Sequence, residues 1–276
     1  MTPFHDYLDI AALLAPSLLT AAATGVAGSC VGTFVLLRRE PLAALALPHV
    51  VAVGAALALR NAWPPLPAAL AAVAIGVAML AWSRRGSSDH WFLPSLYVGA
   101  LSISFLVIAN SGAHLAEMQN LFTGIEVAVA PEAAALAVPL LLVTGLACAL
   151  LWRRWLALAH VPAAAELAGL HPARWDLCFL ALLAVVSVLG TSALGAVMVL
   201  AMLFLPPATA LPWARRLPAA LAAAAAVSIL LLAAGLILSV EMQWPLSQSV
   251  GGAGFCALLA SHAAARIRSP RPRAST

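Results

Sequence analysis

Ionisable side chains inside long apolar stretches are the first candidates for chemistry, because burying such a group away from water is costly and usually serves a cavity or a partner. His49 is the single ionisable residue in the apolar stretch 42–59 and follows Glu40 by nine residues. At about 1.5 Å per helical residue, His49 would lie roughly 13 Å deep in a membrane. The imidazole could bind a metal ion or hydrogen-bond a neighbouring helix, and both readings stay open.

A proline next to His49 changes the backbone around it. Pro48 has no N–H, so the carbonyl of Ala44, one turn earlier, loses its helical donor. The freed carbonyl oxygen could act as a second ligand beside the imidazole. These two features make residues 44–49 the predicted metal-binding or substrate-path segment, with His49 as its metal ligand.

Acidic residues at the borders of other apolar stretches form a second candidate set: Glu126, Glu132 and Glu241. Carboxylates at an external mouth could attract a cation, although ordinary rim charges would look the same. The sequence has no His-Glu-x-x-His, no nucleophile elbow and no Gly-rich phosphate loop with a lysine. We therefore expect no catalytic residues, no bound cofactor and no ATP hydrolysis by this chain itself.

The elements that must position these residues follow from composition. Of the 276 residues, 64% are hydrophobic and only 9% are charged, which is far from the balance of a soluble domain. Lipid must cover much of such a chain, and Ala/Leu-rich stretches without alternation favour helices over a membrane barrel. The net charge of +4 comes from arginines in short clusters, which indicates topology and not nucleic-acid binding.

The uncharged stretches predict an all-α polytopic membrane protein, a single transmembrane domain over residues 1–276. We expect nine spans, with eight as the alternative count. The stretch 177–214 is long enough for two, and we divide it near Thr191 and Ser192, between Gly190 and Gly195. The predicted stretches are residues 10–37, 42–59, 66–82, 91–113, 133–152, 177–214 (two spans), 217–240 and 246–265.

Arginine placement predicts the orientation, since basic residues in short loops stay in the cytoplasm. With nine spans and an external N-terminus, every arginine but Arg60 falls on the cytoplasmic side, including the basic tail 266–276. Two connections are long enough to be structured. Segment 114–132 predicts a short external helix, and segment 153–176 a short cytoplasmic helix at 163–170, bounded by Pro162 and Gly169. The second helix would be a docking surface.

Four segments, in chain order, resemble the permease subunits of bacterial zinc and manganese ABC importers. Residues 32–49 (GTFVLLRREPLAALALPH) resemble the family's first cytoplasmic turn and second span, and residues 193–217 (ALGAVMVLAMLFLPPATALPWARRL) its strongest stretch. Residues 163–174 (AAAELAGLHPAR) are similar to its cytoplasmic coupling helix, and residues 120–132 (NLFTGIEVAVAPE) to its external segment. The family has an aspartate four residues before its histidine, where this chain has Leu45.

The resemblance implies a multi-pass permease in the bacterial inner membrane that moves zinc, manganese or iron by alternating access. It implies a separate cytoplasmic ATPase docking through Ala165, Glu166 and Gly169, an external substrate-binding protein, and a homodimer or a paired permease. The leucine at position 45 weakens a metal site at His49, because divalent ions need charge-compensating ligands in apolar surroundings. A non-metal substrate, a non-transporting scaffold and an intramembrane enzyme therefore remain alternatives.

Overall fold

The computed structural model describes residues 15–38, 41–83, 92–109, 129–160, 162–167 and 169–268. These residues form ten α-helices and one 3-10 turn, and no strand occurs among them. In chain order the helices are α1 (Ala15–Leu37), α2 (Pro41–Arg60), α3 (Pro65–Ser83), α4 (Phe92–Ala109), α5 (Pro131–His160), α6 (Pro162–Leu167), α7 (Pro172–Leu194), α8 (Ala196–Ala210), α9 (Leu217–Met242) and α10 (Leu246–Arg268); the 3-10 turn Leu211–Trp213 follows α8.

Nine of these helices coincide with the nine spans predicted from the eight apolar stretches, which confirms the all-α polytopic membrane fold. Seven are long and apolar enough to cross a membrane by length and composition. One of the seven is α8 together with the 3-10 turn, Ala196–Trp213. The other two helices are α3, whose apolar part is Pro65–Ala81, and α4, which has 18 residues with no charge among them. The tenth helix, α6, is the short helix predicted between the fifth and sixth spans.

Two boundaries differ from the sequence prediction. Helix α5 continues past Trp152 to His160, because Arg153 and Arg154 interrupt hydrophobicity without interrupting helix formation. The break in the long apolar stretch falls at Gly195, a few residues beyond the predicted division. Gly195 has a φ of +82°, a left-handed conformation that glycine adopts without steric cost, and its N–H closes α7 by donating to the Thr191 carbonyl at 3.0 Å.

Helix α1 lies at the centre of the bundle and packs against α5, α7, α8 and α9. Small residues permit this close packing, as at many helix interfaces in membranes. Gly32 is the tightest point, since a Cβ there would overlap the backbone carbonyl of Leu203 in α8. The result is a core in which α1 is surrounded by protein while α5, α9 and α10 expose large apolar faces.

Successive long helices run in opposite directions, so the bundle has two distinct ends. At one end α1, α5, α8 and α10 finish while α2, α7 and α9 begin, and we refer to it as the basic end because it carries Arg38, Arg153, Arg154 and the arginines near the chain terminus. At the opposite end the N–H of Val129 donates to Ser17 Oγ at 2.9 Å, joining the start of α5 to α1. The predicted external helix in segment 114–132 lies mostly outside the described residues.

Candidate functional site

His49 lies near the middle of α2, and the helix stays continuous through Pro48. Its side chain is only 8% exposed. The imidazole Nδ1 lies 3.1 Å from the Leu45 carbonyl oxygen, so Nδ1 carries the proton and donates it, which leaves the Nε2 lone pair available. Its ring also packs edge-on against Tyr97 of α4, with centroids 5.4 Å apart. A histidine held in this tautomer can bind a metal ion or accept a hydrogen bond through Nε2.

A cavity of about 480 Å³ opens between α2, α3 and α4, beginning at Val50, the residue after His49. Among the described residues that line it, Ser95 of α4 is the only one with a polar side chain. Such walls offer neither charge nor metal ligands, so the cavity by itself is no ion site.

The predicted carboxylates stand apart from His49 in the sequence of helices. Glu132 is exposed in the first turn of α5, and Glu241 is exposed in the last turn of α9. Both belong to the end opposite the basic end, whereas Glu126 lies outside the described residues. Within the described ranges, no group of three or more His, Cys, Asp or Glu side chains could hold a metal ion. His49 therefore has no assembled protein ligand set around it in this part of one chain.

The most elaborate side-chain arrangement lies at the basic end and centres on Trp155 of α5. This indole is fully buried and makes edge-on contacts with Phe34 of α1 and with Trp175 and Phe179 of α7, at centroid distances of 5.5, 6.2 and 6.1 Å. Its Nε1–H donates to the Trp175 carbonyl at 3.4 Å. We call these four residues the Trp155 cluster. The cluster joins helices α1, α5 and α7.

An ion pair closes the same region. Arg38, directly after α1, pairs with Asp176 of α7, and its side chain is 8% exposed while that of Asp176 is 28% exposed. The Arg38 guanidinium also lies over the ring of Phe179, with its central carbon 4.9 Å from the centroid. Arg38 was one of the arginines used to predict the topology. Its positive charge is neutralised by Asp176 inside the protein.

Helix α6 sits beside this cluster and contacts α5 and α7. Of the predicted docking residues, Ala165 is buried at 4% exposure and packs into the main hydrophobic core, whereas Glu166 and Gly169 are exposed. Gly169 ends the segment with a φ of +83°. The most prominent apolar group is one that sequence reasoning did not select: Leu167 is 92% exposed.

Tyr97, Asp176 and the Trp155 cluster were also missed at the sequence level. Their partners come from other helices, so no spacing within the sequence pairs Arg38 with Asp176 or His49 with Tyr97. The concentration of tryptophan near residues 152–175 was the one available signal, and it is also the ordinary composition of a membrane interface.

The chain is similar to known transport proteins in both sequence and fold. The profile of the ABC 3 transport family matches residues 11–263. PsaBC from Streptococcus pneumoniae, solved in complex with a Fab, has a chain that superposes with a TM-score of 0.82 at 19% identity, covering 99% of this chain and 98% of that one. A structure described as a metal-chelate type ABC transporter in an inward-facing conformation gives a TM-score of 0.70 at 17% identity, with coverages of 91% and 88%. The comparison with curated protein sequences gives no significant match.

Proposed function

Because the chain belongs to the ABC 3 transport family, we propose that it is the permease of an importer that carries a divalent transition metal across the bacterial inner membrane. The match over residues 11–263 is the observation that carries the proposal, since it spans all the described helices up to the last turn of α10. Membership confirms the permease family predicted from the four sequence segments. It also confirms that this is a transport subunit and not an enzyme.

The metal part of the proposal rests on three supports. The four segments resemble zinc and manganese importers, one similar structure is described as a metal-chelate type transporter, and His49 keeps Nε2 available in the middle of a span. Zinc, manganese and iron all accept imidazole nitrogen. With Leu45 in place of a carboxylate, we expect the site to hold its ion weakly, which suits a residue that must pass the ion on.

The partners follow from what this chain lacks. It carries no phosphate-binding loop, so ATP hydrolysis falls to a separate cytoplasmic subunit, and an external binding protein would deliver substrate to the end that carries Glu132 and Glu241. Two permease chains, identical or paired, would complete the complex. The N-terminus would face outside, because that orientation puts the basic end in the cytoplasm.

Energy would enter through α6. The exposed Leu167 and Glu166 are the groups that an ATPase surface can cover, while Ala165 fixes the opposite face of the short helix to the core. Movement of α6 would pass to α5 and α7, which it contacts, and through the Trp155 cluster to α1. Only two residues separate Arg38 from α2, so displacement of the end of α1 shifts α2 and with it His49.

Transport assays test the substrate. Proteoliposomes holding the permease, its partner ATPase and the binding protein should take up at least one of zinc, manganese or iron in an ATP-dependent manner. His49→Ala should reduce that uptake strongly at unchanged expression, and Leu45→Asp should strengthen metal binding because residues four apart share a helix face. His262→Ala is the matched control: its Nδ1 also lies 3.1 Å from the carbonyl four residues earlier, but the residue is exposed near the end of α10.

Uptake that is normal in a well-expressed His49→Ala protein would remove His49 from the path. ATP-dependent transport without any of the three metals would favour the second candidate, a permease for a non-metal substrate. The observation behind that candidate is the missing carboxylate at Leu45 together with the apolar cavity wall. Absence of any ATP-dependent uptake would leave a membrane scaffold as the better account.

The docking site has its own test. Leu167→Glu should abolish co-purification of the ATPase while leaving the elution profile and thermal stability of the permease unchanged. Leu167 is a cleaner probe than Ala165, because a bulky residue at a buried position would also disturb the chain's own packing. Trp63→Glu, an exposed apolar position at the other end of the bundle, is the control. Retained co-purification in Leu167→Glu would reject α6 as the contact.

Orientation can be measured independently of transport. Reporter fusions after Arg39, Ser87 and Ser269 should all score cytoplasmic if the N-terminus is outside and nine spans are inserted. Two external scores among the three would contradict the nine-span topology.

A further inference from the structure

The turn between α8 and α9 holds a tryptophan in a fixed position at the membrane border. The Trp213 indole Nε1–H donates to Ser261 Oγ of α10 at 2.7 Å, and the Ser261 hydroxyl donates to the Thr209 carbonyl of α8 at 2.8 Å. Trp213 nevertheless remains 43% exposed. Because two helices anchor its polar edge, the indole presents a fixed aromatic face at the end of the bundle.

One arginine contacts this indole, and three others lie near it in the sequence or in the same helical turn. Arg268, at the end of α10, places its guanidinium carbon 5.2 Å from the Trp213 ring centroid, and Arg215 and Arg216 follow the turn in sequence. Arg266 lies in the same last turn of α10. All four arginines are exposed. We refer to Trp213 and these four residues as the Trp213 patch.

No acidic side chain balances this charge from the surrounding helices. The 3-10 turn packs against α8, α9 and α10, and across residues 196–268 the sequence has a single acidic residue, Glu241. Glu241 lies at the far end of α9, roughly 37 Å from Arg216 at 1.5 Å per residue. Arg38 at the same end of the bundle differs, because Asp176 neutralises it. The Trp213 patch therefore carries four exposed arginines, and the distant Glu241 is the single acidic residue on the helices that pack against the turn.

The surface leading to the patch is apolar. Helix α10 exposes Phe255, Leu259 and Ile267, which are 56%, 55% and 82% accessible. By helical spacing Phe255, Leu259 and Arg266 share one face of α10, whereas Ser261 and Arg268, which contact Trp213, lie on the opposite face. A lipid whose acyl chain lies along Phe255 and Leu259 would therefore carry its headgroup to Arg266 at the end of the helix. An apolar face that ends in a basic and aromatic cluster is the arrangement by which membrane proteins hold anionic headgroups.

From this geometry we propose that the Trp213 patch binds the phosphate headgroup of an anionic phospholipid, with the acyl chains lying along α10. Guanidinium groups match phosphate oxygens bidentately, and an indole at the border anchors the interface. The apolar face of α10 that leads to Arg266 favours a lipid over an acidic protein surface. The inference depends on the membrane location of the chain and not on which substrate it transports.

Native mass spectrometry of the full-length permease, released from mixed micelles of phosphatidylglycerol and phosphatidylcholine, tests the site. Wild-type protein should retain phosphatidylglycerol preferentially. The double variant Arg266→Gln/Arg268→Gln should lower this preference about tenfold, since each arginine near an anionic surface contributes separately. Arg266→Lys/Arg268→Lys, which keeps the charge, should retain most of it. Arg60→Gln, an exposed arginine at the opposite end, should behave as wild type.

Two results would overturn the proposal. One is equal retention of both lipids by the wild-type protein. The other is an unchanged phosphatidylglycerol preference in the glutamine double variant combined with loss of the co-purifying ATPase, which would make the patch a protein-docking surface. Excess inorganic phosphate should compete poorly with phosphatidylglycerol, because the free anion lacks the acyl chains; full competition would also contradict the lipid assignment. Failure of metal uptake bears on none of these readouts.

Discussion

The Trp155 cluster and the Trp213 patch lie at the same end of the bundle and use the same chemistry, an arginine placed over an aromatic ring. Around Trp155 two arginines lie over rings of the cluster: Arg38, which is almost fully buried and paired with Asp176, lies over Phe179, and the exposed Arg154 lies over Trp175. Arg38 is the one to compare. Around Trp213 it is Arg268, which is exposed and has no acidic residue on the packed helices. The difference indicates two roles: the first arrangement fixes helices to one another, and the second leaves its charge for something outside the chain.

The largest effect should come from removing the centre of the buried cluster. Trp155→Ala would leave a cavity between α1, α5 and α7 and should lower the free energy of unfolding by about 3–5 kcal/mol. Thermal unfolding of the purified protein in detergent measures this loss. Trp244→Ala, at a 56% exposed indole, is the control and should cost much less. Equal losses would mean that the Trp155 cluster does not hold the three helices together.

Breaking the ion pair should have the next largest effect. Asp176→Asn leaves the Arg38 guanidinium buried without its counter-charge, and we expect a loss of about 3 kcal/mol, near the lower end for a buried pair because Asp176 is partly accessible. The double variant Arg38→Met/Asp176→Leu removes both charges and should recover much of that loss in the same unfolding assay. A double variant no more stable than Asp176→Asn would show that hydration of Arg38 already compensates its charge.

At the Trp213 patch the effects on stability should be smaller. Trp213→Phe keeps an aromatic ring but removes the donor to Ser261, and an intramolecular hydrogen bond of this kind contributes about 1 kcal/mol. Differential scanning fluorimetry against Ser261→Ala, which removes the other partner, measures it. Ser261→Ala also removes the hydrogen bond that Ser261 donates to the Thr209 carbonyl, so it should lose more stability than Trp213→Phe, and the double variant should lose no more than Ser261→Ala. Additive losses would contradict a direct Trp213–Ser261 coupling.

Arg268→Gln should produce the smallest change in stability. An exposed arginine with no acidic partner contributes within about 0.5 kcal/mol, so the unfolding midpoint should stay close to wild type in neutral detergent. Added phosphatidylglycerol should then raise the midpoint of the wild-type protein more than that of the variant. A large loss of stability without lipid would give Arg268 the same structural role as Arg38.

Much of the fold could be predicted because each apolar span is a local property of about 20 residues. The nine predicted spans all became helices, and even α6 was placed by Pro162 and Gly169, which limit a helix through backbone chemistry alone. Helix ends were less accurate. Helix α5 passes through Arg153 and Arg154 because a charge ends a membrane span without ending a helix.

Only part of the candidate site could be predicted from the sequence. His49 could be selected from its depth and isolation, and the structure places it in a buried position with Nδ1 3.1 Å from the Leu45 carbonyl oxygen, while its role in transport stays a prediction. Its contact with Tyr97 could not be selected, because that ring belongs to another helix. Ala165 and Leu167 show the same limit: both lie on one short apolar helix, and only packing against α5 and α7 decided which of them is buried.

The sequence by itself determined the membrane class, the positions of the spans and the charge asymmetry between the two ends, since these depend on the local balance of apolar and basic residues. Tertiary structure alone decided that Arg38 is neutralised by Asp176 while Arg268 is not, and that Trp155 is fully buried while Trp213 is partly accessible. The physical reason is that pairing and burial depend on which helices meet. In a bundle of uniformly apolar helices, small residues such as Gly32 allow particular helices to pack closely. The hydrophobic pattern does not encode which helices pack together.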